Sequence, residues 1–315
     1  MVTSSYSASG NLVLIDARSG AITQLTEGEH RDCHPQWSPE GQRIAFSSNR
    51  TGQYEIYVIE RDGTGLMQVT HGDGDKDDPA WSPDGRRLAF ASHIKGDEIH
   101  RALNVVDLET QQVTTIIELR YPTEDAYRNI TSIDWSPTDA NLMLVVAEGG
   151  LDLEQPHSFP KLGNSLGSRA YILDLETETA SLVTPEGWEC ILPLWSPSGM
   201  TVLQNCCSRL TSQDGSCAPI VGKLTDTETG FALEELRELA GITGSLVYWS
   251  PDGVFWVATS WTNSGLGSFE IHEIQPYMTH PSYSSDGMVA TGLYLWPTPL
   301  IEDDTLSLSE PDWGP

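Results

Sequence analysis

Two short loops, each of which precedes a Trp-Ser-Pro sequence, carry side chains that could bind a metal ion. The first loop contains Glu27, Glu29 and then the run His-Arg-Asp-Cys-His at residues 30–34. Imidazole, thiolate and carboxylate groups are common ligands of transition metals in proteins. The other six histidines are scattered along the chain, and no matching set occurs in the equivalent loops. We therefore favour polar loop residues that satisfy backbone groups, and we assign no metal ligands.

The second loop has alternating carboxylates at Asp73, Asp75 and Asp77, followed directly by Asp78. Hard cations such as Ca²⁺ need several carboxylate oxygens from one compact turn, so the pattern is compatible with a calcium site at Asp73, Asp75 and Asp77. It departs from an EF-hand loop, because Asp78 stands where glycine is required and the chain then enters an expected strand. We favour a solvated acidic loop and keep calcium binding as the alternative.

A third stretch matches the pattern of a serine nucleophile. Residues 163–167 read Gly-Asn-Ser-Leu-Gly, which fits Gly-x-Ser-x-Gly. That motif supports catalysis only on a sharp turn between a strand and a helix, whereas here it lies in a loop that leads into an expected strand. We assign no catalytic residue, and we expect a protein that is not an enzyme.

An internal repeat predicts the elements that position these loops. The sequence Trp-Ser-Pro-Asp-Gly at residues 81–85 recurs in related forms that begin at Trp37, Trp135, Trp195, Trp249 and, in eroded form, Tyr283. Ser can bond its own backbone, Pro presets φ, and Gly accepts the positive φ that starts a return strand. A short apolar run follows each copy, so each copy indicates a β-hairpin. Because the Trp residues recur with the repeat, we expect them to pack in the core.

A second hairpin lies between successive copies and often closes on Thr. Two hairpins in series make a four-stranded antiparallel unit, and the copies are spaced 34 to 60 residues apart, around the roughly 40–50 residues of a propeller blade. The sequence therefore predicts an all-β, six-bladed β-propeller of four-stranded antiparallel blades in residues 1–296, with an acidic C-terminal tail in residues 297–315. We expect residues 11–26 to close the ring with residues 281–296. Residues 231–240 have apolar positions at the spacing of a short helix.

The repeat resembles that of TolB-type β-propellers, a WD40-like architecture. The resemblance rests on residues 79–90, Pro-Ala-Trp-Ser-Pro-Asp-Gly-Arg-Arg-Leu-Ala-Phe, and on residues 46–52, Phe-Ser-Ser-Asn-Arg-Thr-Gly. It is close over residues 26–110 and continues to about residue 296 as anchors and strand pattern. The resemblance implies a non-enzymatic scaffold in an envelope-associated complex, with a periplasmic or extracytoplasmic location.

The same repeat is also similar to propellers of prolyl-oligopeptidase-like peptidases and of some polysaccharide lyases. This second resemblance leaves two alternatives open. One is a metal-assisted lyase or hydrolase that uses His30, Asp32 and His34. The other is the regulatory propeller of a peptidase whose catalytic domain lies beyond this chain.

The charge of the chain restricts its partners. It has 45 acidic and 17 basic residues and a formal net charge of −28, which argues against nucleic acid and anionic membranes. No apolar run reaches the length of a membrane helix, and the N-terminus lacks the basic start and apolar core of a signal peptide. A cytoplasmic protein and a part of a larger exported protein therefore stay open beside the extracytoplasmic location. We expect a monomer that binds a protein or cationic peptide, without a cofactor, through loops at one mouth of the channel. The expected binding residues on this rim are Glu29, His30, Asp32, His34, Asp75, Asp77, Asp78, Arg128 and Asn129.

Four of the five cysteines, Cys190, Cys206, Cys207 and Cys217, lie within 28 residues. Cys206 or Cys207 ends one expected strand and Cys217 begins the next, so a disulfide between them would close the intervening loop. Such a bond would stabilise the fold by about 2–4 kcal/mol. Buried free thiols in a reducing compartment are the alternative.

Overall fold

The computed structural model describes residues 2–5, 10–15, 21–94, 99–121, 130–148, 167–208, 217–228, 230–238, 245–249, 255–261, 267–273 and 308–312. Every regular element in these ranges is a β-strand. Within the same ranges there is no helix long and apolar enough to cross a membrane. The all-β prediction is confirmed.

The strands follow one another in small antiparallel sheets, which we number I to VI. Sheet I begins with β1 (Val2–Ser5), β2 (Leu12–Ile15) and β3 (Ile22–Gln24). Sheet II contains β4 (Asp32–Trp37), β5 (Arg43–Ser48), β6 (Glu55–Glu60) and β7 (Met67–Gln68). Sheet III contains β8 (Asp75–Trp81), β9 (Arg87–Ile94), β10 (Ile99–Asp107) and β11 (Val113–Tyr121).

The second half of the chain continues the same pattern. Sheet IV contains β12 (Ile130–Trp135), β13 (Leu142–Glu148), β14 (Ser168–Asp174) and β15 (Thr179–Leu182). Sheet V contains β16 (Trp188–Trp195), β17 (Thr201–Ser208), β18 (Cys217–Thr227) and β19 (Gly230–Glu238). Sheet VI contains β20 (Ser245–Trp249), β21 (Phe255–Trp261) and β22 (Gly267–Glu273). The last strand, β23 (Leu308–Asp312), returns to sheet I.

The Trp-Ser-Pro turns form as their sequence predicts. In sheet II the Ser38 hydroxyl accepts a hydrogen bond from the Arg43 backbone N–H at 3.0 Å. The Gly41 N–H donates to the Ser38 carbonyl oxygen at 2.8 Å, and Gly41 has a φ of 64°. Gly85 and Gly199 repeat this arrangement in sheets III and V, with φ values of 66° and 70°. These positions need glycine because the return strand starts from a left-handed residue.

The threonines that follow the second hairpin make the same hydrogen bond in three of the sheets. The buried hydroxyls of Thr26, Thr70 and Thr184 each accept a hydrogen bond from a backbone N–H fourteen residues earlier in the chain. The donors are Leu12, Ile56 and Ala170. Since an unpaired buried N–H destabilises a fold, each threonine completes the hydrogen bonding of the strand beside it.

The hydrophobic core lies between successive sheets. One buried cluster joins Ile56 and Val58 of sheet II to Leu88 and Phe90 of sheet III, and three further clusters join sheets I to II, III to IV and IV to V. The repeated tryptophans belong to these layers, because Trp37, Trp81, Trp135 and Trp195 are all at most 9% exposed. The prediction that they are packing residues is confirmed for these four, and Trp249 lies in a strand whose side chains are not described.

The C-terminal region differs from the expected acidic tail. Residues 308–312 form β23, which pairs antiparallel with β1 in sheet I. The strand order is β23, β1, β2, β3, so the C-terminus completes the sheet that the N-terminus begins. The pairing covers an edge of β1 that would otherwise expose unpaired backbone groups. Residues 281–296, which we expected to close the ring, lie outside the described residues.

In sheet V one further expectation is wrong and another is wrong in part. Residues 230–238 form the strand β19 and not a helix, because this segment pairs with β18. The structure describes a disulfide between Cys190 and Cys206 across β16 and β17, so Cys206 is not bonded to Cys217. The side chains of Cys207 and Cys217 lie outside the described residues. The sequence could not show this pairing, because Cys190 and Cys206 become neighbours only through the register of the two strands. Cys207 faces Cys217 in the register of β17 and β18.

Candidate functional site

The two loops that sequence analysis selected emerge at the same edge of neighbouring sheets. Successive antiparallel strands alternate in direction, so the loops before β4 and β8 lie at one edge and the Trp-Ser-Pro turns lie at the other. We call residues 27–34 and 71–78 together the acidic edge. Backbone contacts tie these loops to the turn between β5 and β6. The Arg31 N–H donates to Asn49 Oδ1 at 2.7 Å, and the Lys76 N–H donates to the Tyr54 carbonyl at 2.8 Å.

His34 and Asp77 form the central contact of the acidic edge. His34 Nδ1 lies 2.5 Å from Asp77 Oδ1 and 3.7 Å from Asp78 Oδ1. Asp77 Oδ1 also accepts a hydrogen bond from the Asp78 backbone N–H at 3.0 Å. The side chains of His34 and Asp77 are only 27% and 29% exposed, so this contact between sheets II and III is mostly buried.

Backbone irregularities in β4 and β8 produce this arrangement. Both strands change register, between Cys33 and Gln36 in β4 and between Asp77 and Ala80 in β8. His34 and Asp78 occupy these bulges with φ values of 50° and 52°, in the left-handed region. A bulge of this kind redirects side chains away from the regular alternation of a strand. Each of these residues stands three positions before the Trp of its repeat.

The electrostatics of the pair favour a charged imidazolium. Burial disfavours that charge, but the carboxylates of Asp78 and Asp77 outweigh it and raise the pKa of His34 well above its ordinary value. Burial likewise disfavours a charged Asp77, but the His34 imidazolium, with help from the Ser47 side chain, lowers the pKa of Asp77. Most of the charge of Asp77 is therefore compensated within the protein.

Asp32 has a structural role and does not face a ligand. It is fully buried, and Arg50 Nη2 donates to both of its carboxylate oxygens at 3.0 and 3.2 Å. His30 Nε2 lies 3.5 Å from Asp32 Oδ2. The guanidinium of Arg50 also lies 4.6 Å from the centroid of the Tyr57 ring. Asp32 therefore belongs to an ion pair inside sheet II, which the sequence alone could not reveal.

The loop for which calcium binding was the alternative is occupied by a lysine side chain. Lys76 Nζ donates to the carbonyl oxygens of Gly72, Asp73 and Gly74 at 2.7, 3.0 and 2.9 Å. It also lies 3.2 Å from Glu55 Oε1, and both of these charged residues are buried. The oxygens that could face a calcium ion thus already bind an ammonium group.

The aspartates of this loop also have other partners. Asp75 Oδ1 accepts a hydrogen bond from the Tyr54 N–H at 3.0 Å, and Asp77 binds His34. The interpretation of Asp73, Asp75 and Asp77 as a calcium loop is therefore not supported by the geometry.

The carboxylates that remain exposed lie on the outer part of the acidic edge. Glu27, Glu29 and Asp73 are exposed, whereas Asp75 and Asp78 are partly buried. A cleft of about 460 Å³ lies at the same edge, lined by Thr51, Gly52, Gln53, Glu55, Gln68, His71 and Gly72. The acidic edge therefore combines an exposed negative surface with a polar cleft.

The structure brings together only part of the expected site. Asp77 and Asp78 contact His34. Asp32 pairs with Arg50 and His30 lies beside Asp32, so His30, Asp32 and His34 do not share one point. Arg128 and Asn129 lie outside the described residues. Sequence analysis missed Lys76 and Glu55, because they are 21 positions apart in the chain and give no local signal. It also gave no role to Cys33.

Comparisons with known proteins agree with this architecture. Residues 1–150 match the TolB beta propeller domain. A segment of 50 residues is 46% identical to the protein Atu1656 of Agrobacterium fabrum, and it covers 16% of this chain and 17% of that protein.

Two solved structures extend the likeness to most of the chain. TolB from Acinetobacter baumannii superposes with a TM-score of 0.63 at 18% identity, over 86% of this chain and 60% of that protein. A puromycin-hydrolyzing peptidase of Mycobacterium tuberculosis superposes with a TM-score of 0.55 at 16% identity, over 86% of this chain and 40% of that protein. This chain therefore spans less than two thirds of the length of either protein. Residues 1–150 carry TolB-like β-propeller repeats, and the chain has a TolB-like β-propeller fold over most of its length.

Proposed function

We propose that this chain is a non-enzymatic, six-bladed propeller scaffold that binds a basic segment of a partner protein at the acidic edge. The observation that carries the proposal is the exposure of the carboxylates Glu27, Glu29 and Asp73 on the edge that also holds a polar cleft. The neighbouring cations Arg50 and Lys76 are engaged with Asp32 and Glu55, and Arg31 is the exposed cation within residues 27–34 of this edge. Six sheets in the described residues support six blades.

An extracytoplasmic location is part of the proposal. The disulfide between Cys190 and Cys206 supports it, because disulfides persist in oxidising compartments and are rare in the cytosol of most organisms. The prediction from the TolB resemblance points in the same direction.

A binding experiment with a matched control tests the function. The probe is a synthetic lysine-rich peptide, titrated against the wild type, the variant Glu27→Gln/Glu29→Gln/Asp73→Asn, and the control Glu109→Gln/Glu176→Gln. The control residues are exposed on turns at the opposite edge. We expect the first variant to bind about tenfold more weakly, since three exposed charge contacts are lost, and the control to bind like the wild type. Equal weakening in both variants would show attraction by net charge alone and would refute the proposed surface.

A second candidate is the propeller of a larger peptidase. The fold shared with the Mycobacterium tuberculosis peptidase supports it, because this chain covers 40% of that protein. In this case the acidic edge would face a catalytic domain encoded in the same gene. Sequencing the parent gene on both sides of this segment separates the two candidates.

A further inference from the structure

Cys33, His34 and Asp77 place three different metal-binding groups around one point between sheets II and III. The Cys33 sulfur, one imidazole nitrogen of His34 and one carboxylate oxygen of Asp77 all lie within 4.8 Å of one another. Among the residues that the structure describes, this is the one group of three or more such side chains with converging ligand atoms.

The convergence depends on the bulge in β4. On a regular strand, neighbouring residues such as Cys33 and His34 point to opposite faces. The left-handed φ of 50° at His34 breaks this alternation, so both side chains can approach Asp77 of the next sheet. The third ligand atom belongs to Asp77 of β8. The site therefore needs residues from two neighbouring sheets.

We propose that Cys33, His34 and Asp77 bind a zinc-like divalent ion, with solvent as the fourth ligand. A thiolate with an imidazole suits Zn²⁺ and similar borderline metals, whereas Ca²⁺ and Mg²⁺ prefer oxygen ligands. Three protein ligands and one open position are typical of an accessible zinc site. Cys33 is only 8% exposed, while the partly exposed His34 and Asp77 leave the open position towards solvent.

The surroundings also favour a divalent cation. Asp78 Oδ1 lies 3.7 Å from His34 Nδ1, so a second carboxylate stands just outside the three ligands. In the metal-free protein, His34 Nδ1 and Asp77 Oδ1 are 2.5 Å apart and share a hydrogen bond. An ion would take the place of the proton between His34 Nδ1 and Asp77 Oδ1, and that proton and the thiol proton of Cys33 would be released to solvent. The exchange requires only a small separation of the two side chains.

This site lies within the acidic edge, but its three ligands differ from the carboxylates proposed to bind the peptide, Glu27, Glu29 and Asp73. A failure of one proposal therefore leaves the other unaffected. Peptide binding can be measured on metal-free protein, and metal binding can be measured without peptide.

Cobalt spectroscopy on the whole chain tests the proposal. Protein freed of metal by a chelator is titrated with Co²⁺, and competition with Zn²⁺ gives the zinc affinity. We expect one ion per chain and a thiolate-to-cobalt charge-transfer band in the near ultraviolet. Cys33→Ala should abolish the band, and Asp77→Asn should keep it but weaken Zn²⁺ affinity by at least about tenfold. His71→Ala, an exposed histidine of the same edge, is the control and should change neither.

Two results would overturn the proposal. One is the absence of stoichiometric Co²⁺ or Zn²⁺ binding by the wild type. The other is a band that persists in Cys33→Ala, which would assign it to another thiol. If Cys33→Ala does not fold, as judged by its thermal unfolding, an unchanged affinity in Asp77→Asn alone refutes the ligand set.

Discussion

The guanidinium of Arg43 in sheet II lies 4.7 Å from the centroid of the Trp81 indole in sheet III. The same side chain donates from Nη2 to the carbonyl oxygen of Gly85 at 2.9 Å, in the turn that follows Trp81. One sheet further along the chain, Arg87 lies 4.9 Å from the Trp135 ring. The repeated sequence therefore encodes a contact between neighbouring sheets in addition to a turn.

Trp81→Ala should lower the free energy of unfolding by about 3–5 kcal/mol, because it leaves a cavity between sheets II and III and removes the ring under Arg43. Urea unfolding measures the change. Leu66→Ala is the control, since Leu66 is 45% exposed, and it should have little effect. Full stability in Trp81→Ala together with weakened peptide binding would mean that Trp81 belongs to a binding surface and not to the core.

Lys76→Met should lower the free energy of unfolding by about 3–5 kcal/mol, because it leaves the buried carboxylate of Glu55 without its cation. Adding Glu55→Gln should recover part of the loss, since no buried charge then remains unpaired. Lys223→Met, at an exposed lysine, is the control. If Lys76→Met and Lys223→Met have equal stability, the Lys76 ammonium does not support the loop.

Removal of residues 308–315 should lower the melting temperature strongly and promote aggregation, because the edge of β1 loses its partner strand. Removal of residues 313–315 alone is the matched control and leaves β23 in place. Differential scanning calorimetry and light scattering report the two effects. Equal melting temperatures for the two truncations would contradict closure of sheet I by β23.

Reduction of the Cys190–Cys206 disulfide should lower the free energy of unfolding by about 2–4 kcal/mol, since the bond restricts the unfolded chain. The comparison is between oxidised and reduced wild-type protein in urea. The double variant Cys190→Ala/Cys206→Ala should resemble the reduced protein and no longer respond to a reductant. A large response to reductant in that variant would assign the effect to another cysteine pair.

Acid should destabilise the fold partly through turn aspartates. The Thr64 hydroxyl and backbone N–H lower the pKa of Asp62, and the Thr110 backbone N–H and hydroxyl lower the pKa of Asp107. A lowered folded-state pKa gives stability that is present above the ordinary value of about 3.9 and is lost as the pH falls through the folded-state value. Urea unfolding between about pH 5 and pH 2 should therefore show a smaller acid loss in Asp62→Asn/Asp107→Asn than in the wild type. An identical pH dependence in both proteins would exclude this contribution.

Local sequence rules predicted the repeated parts of the fold. Ser38 and Gly41 form their turn because Ser, Pro and Gly each restrict the backbone at a fixed position, and Trp81 is buried because its spacing follows the sheets. The same rules misjudged residues 231–240, where pairing with β18 overrides apolar spacing typical of a helix. The helix propensity of this segment contributes less free energy than the interstrand hydrogen bonds that it forms with β18.

The candidate site was less predictable, because it depends on contacts between sheets. His34 and Asp77 are 43 residues apart, and they meet only because two inner strands carry bulges at equivalent positions. The composition of residues 73–78 does not show that the Lys76 side chain donates to backbone carbonyl oxygens of its own loop. Nor does it show that Asp75 and Asp77 form hydrogen bonds with Tyr54 and His34. Such pairings require the register of neighbouring strands, which a single sequence does not contain.

Hydrogen exchange with and without the lysine-rich peptide tests the central claim, which is that the acidic edge is the binding surface of this propeller. The account predicts slower exchange on binding in residues 27–34 and 71–78, with no change in the Trp-Ser-Pro turns at residues 37–41 and 81–85 of the opposite edge. Protection confined to those turns, or spread equally over both edges, would contradict it.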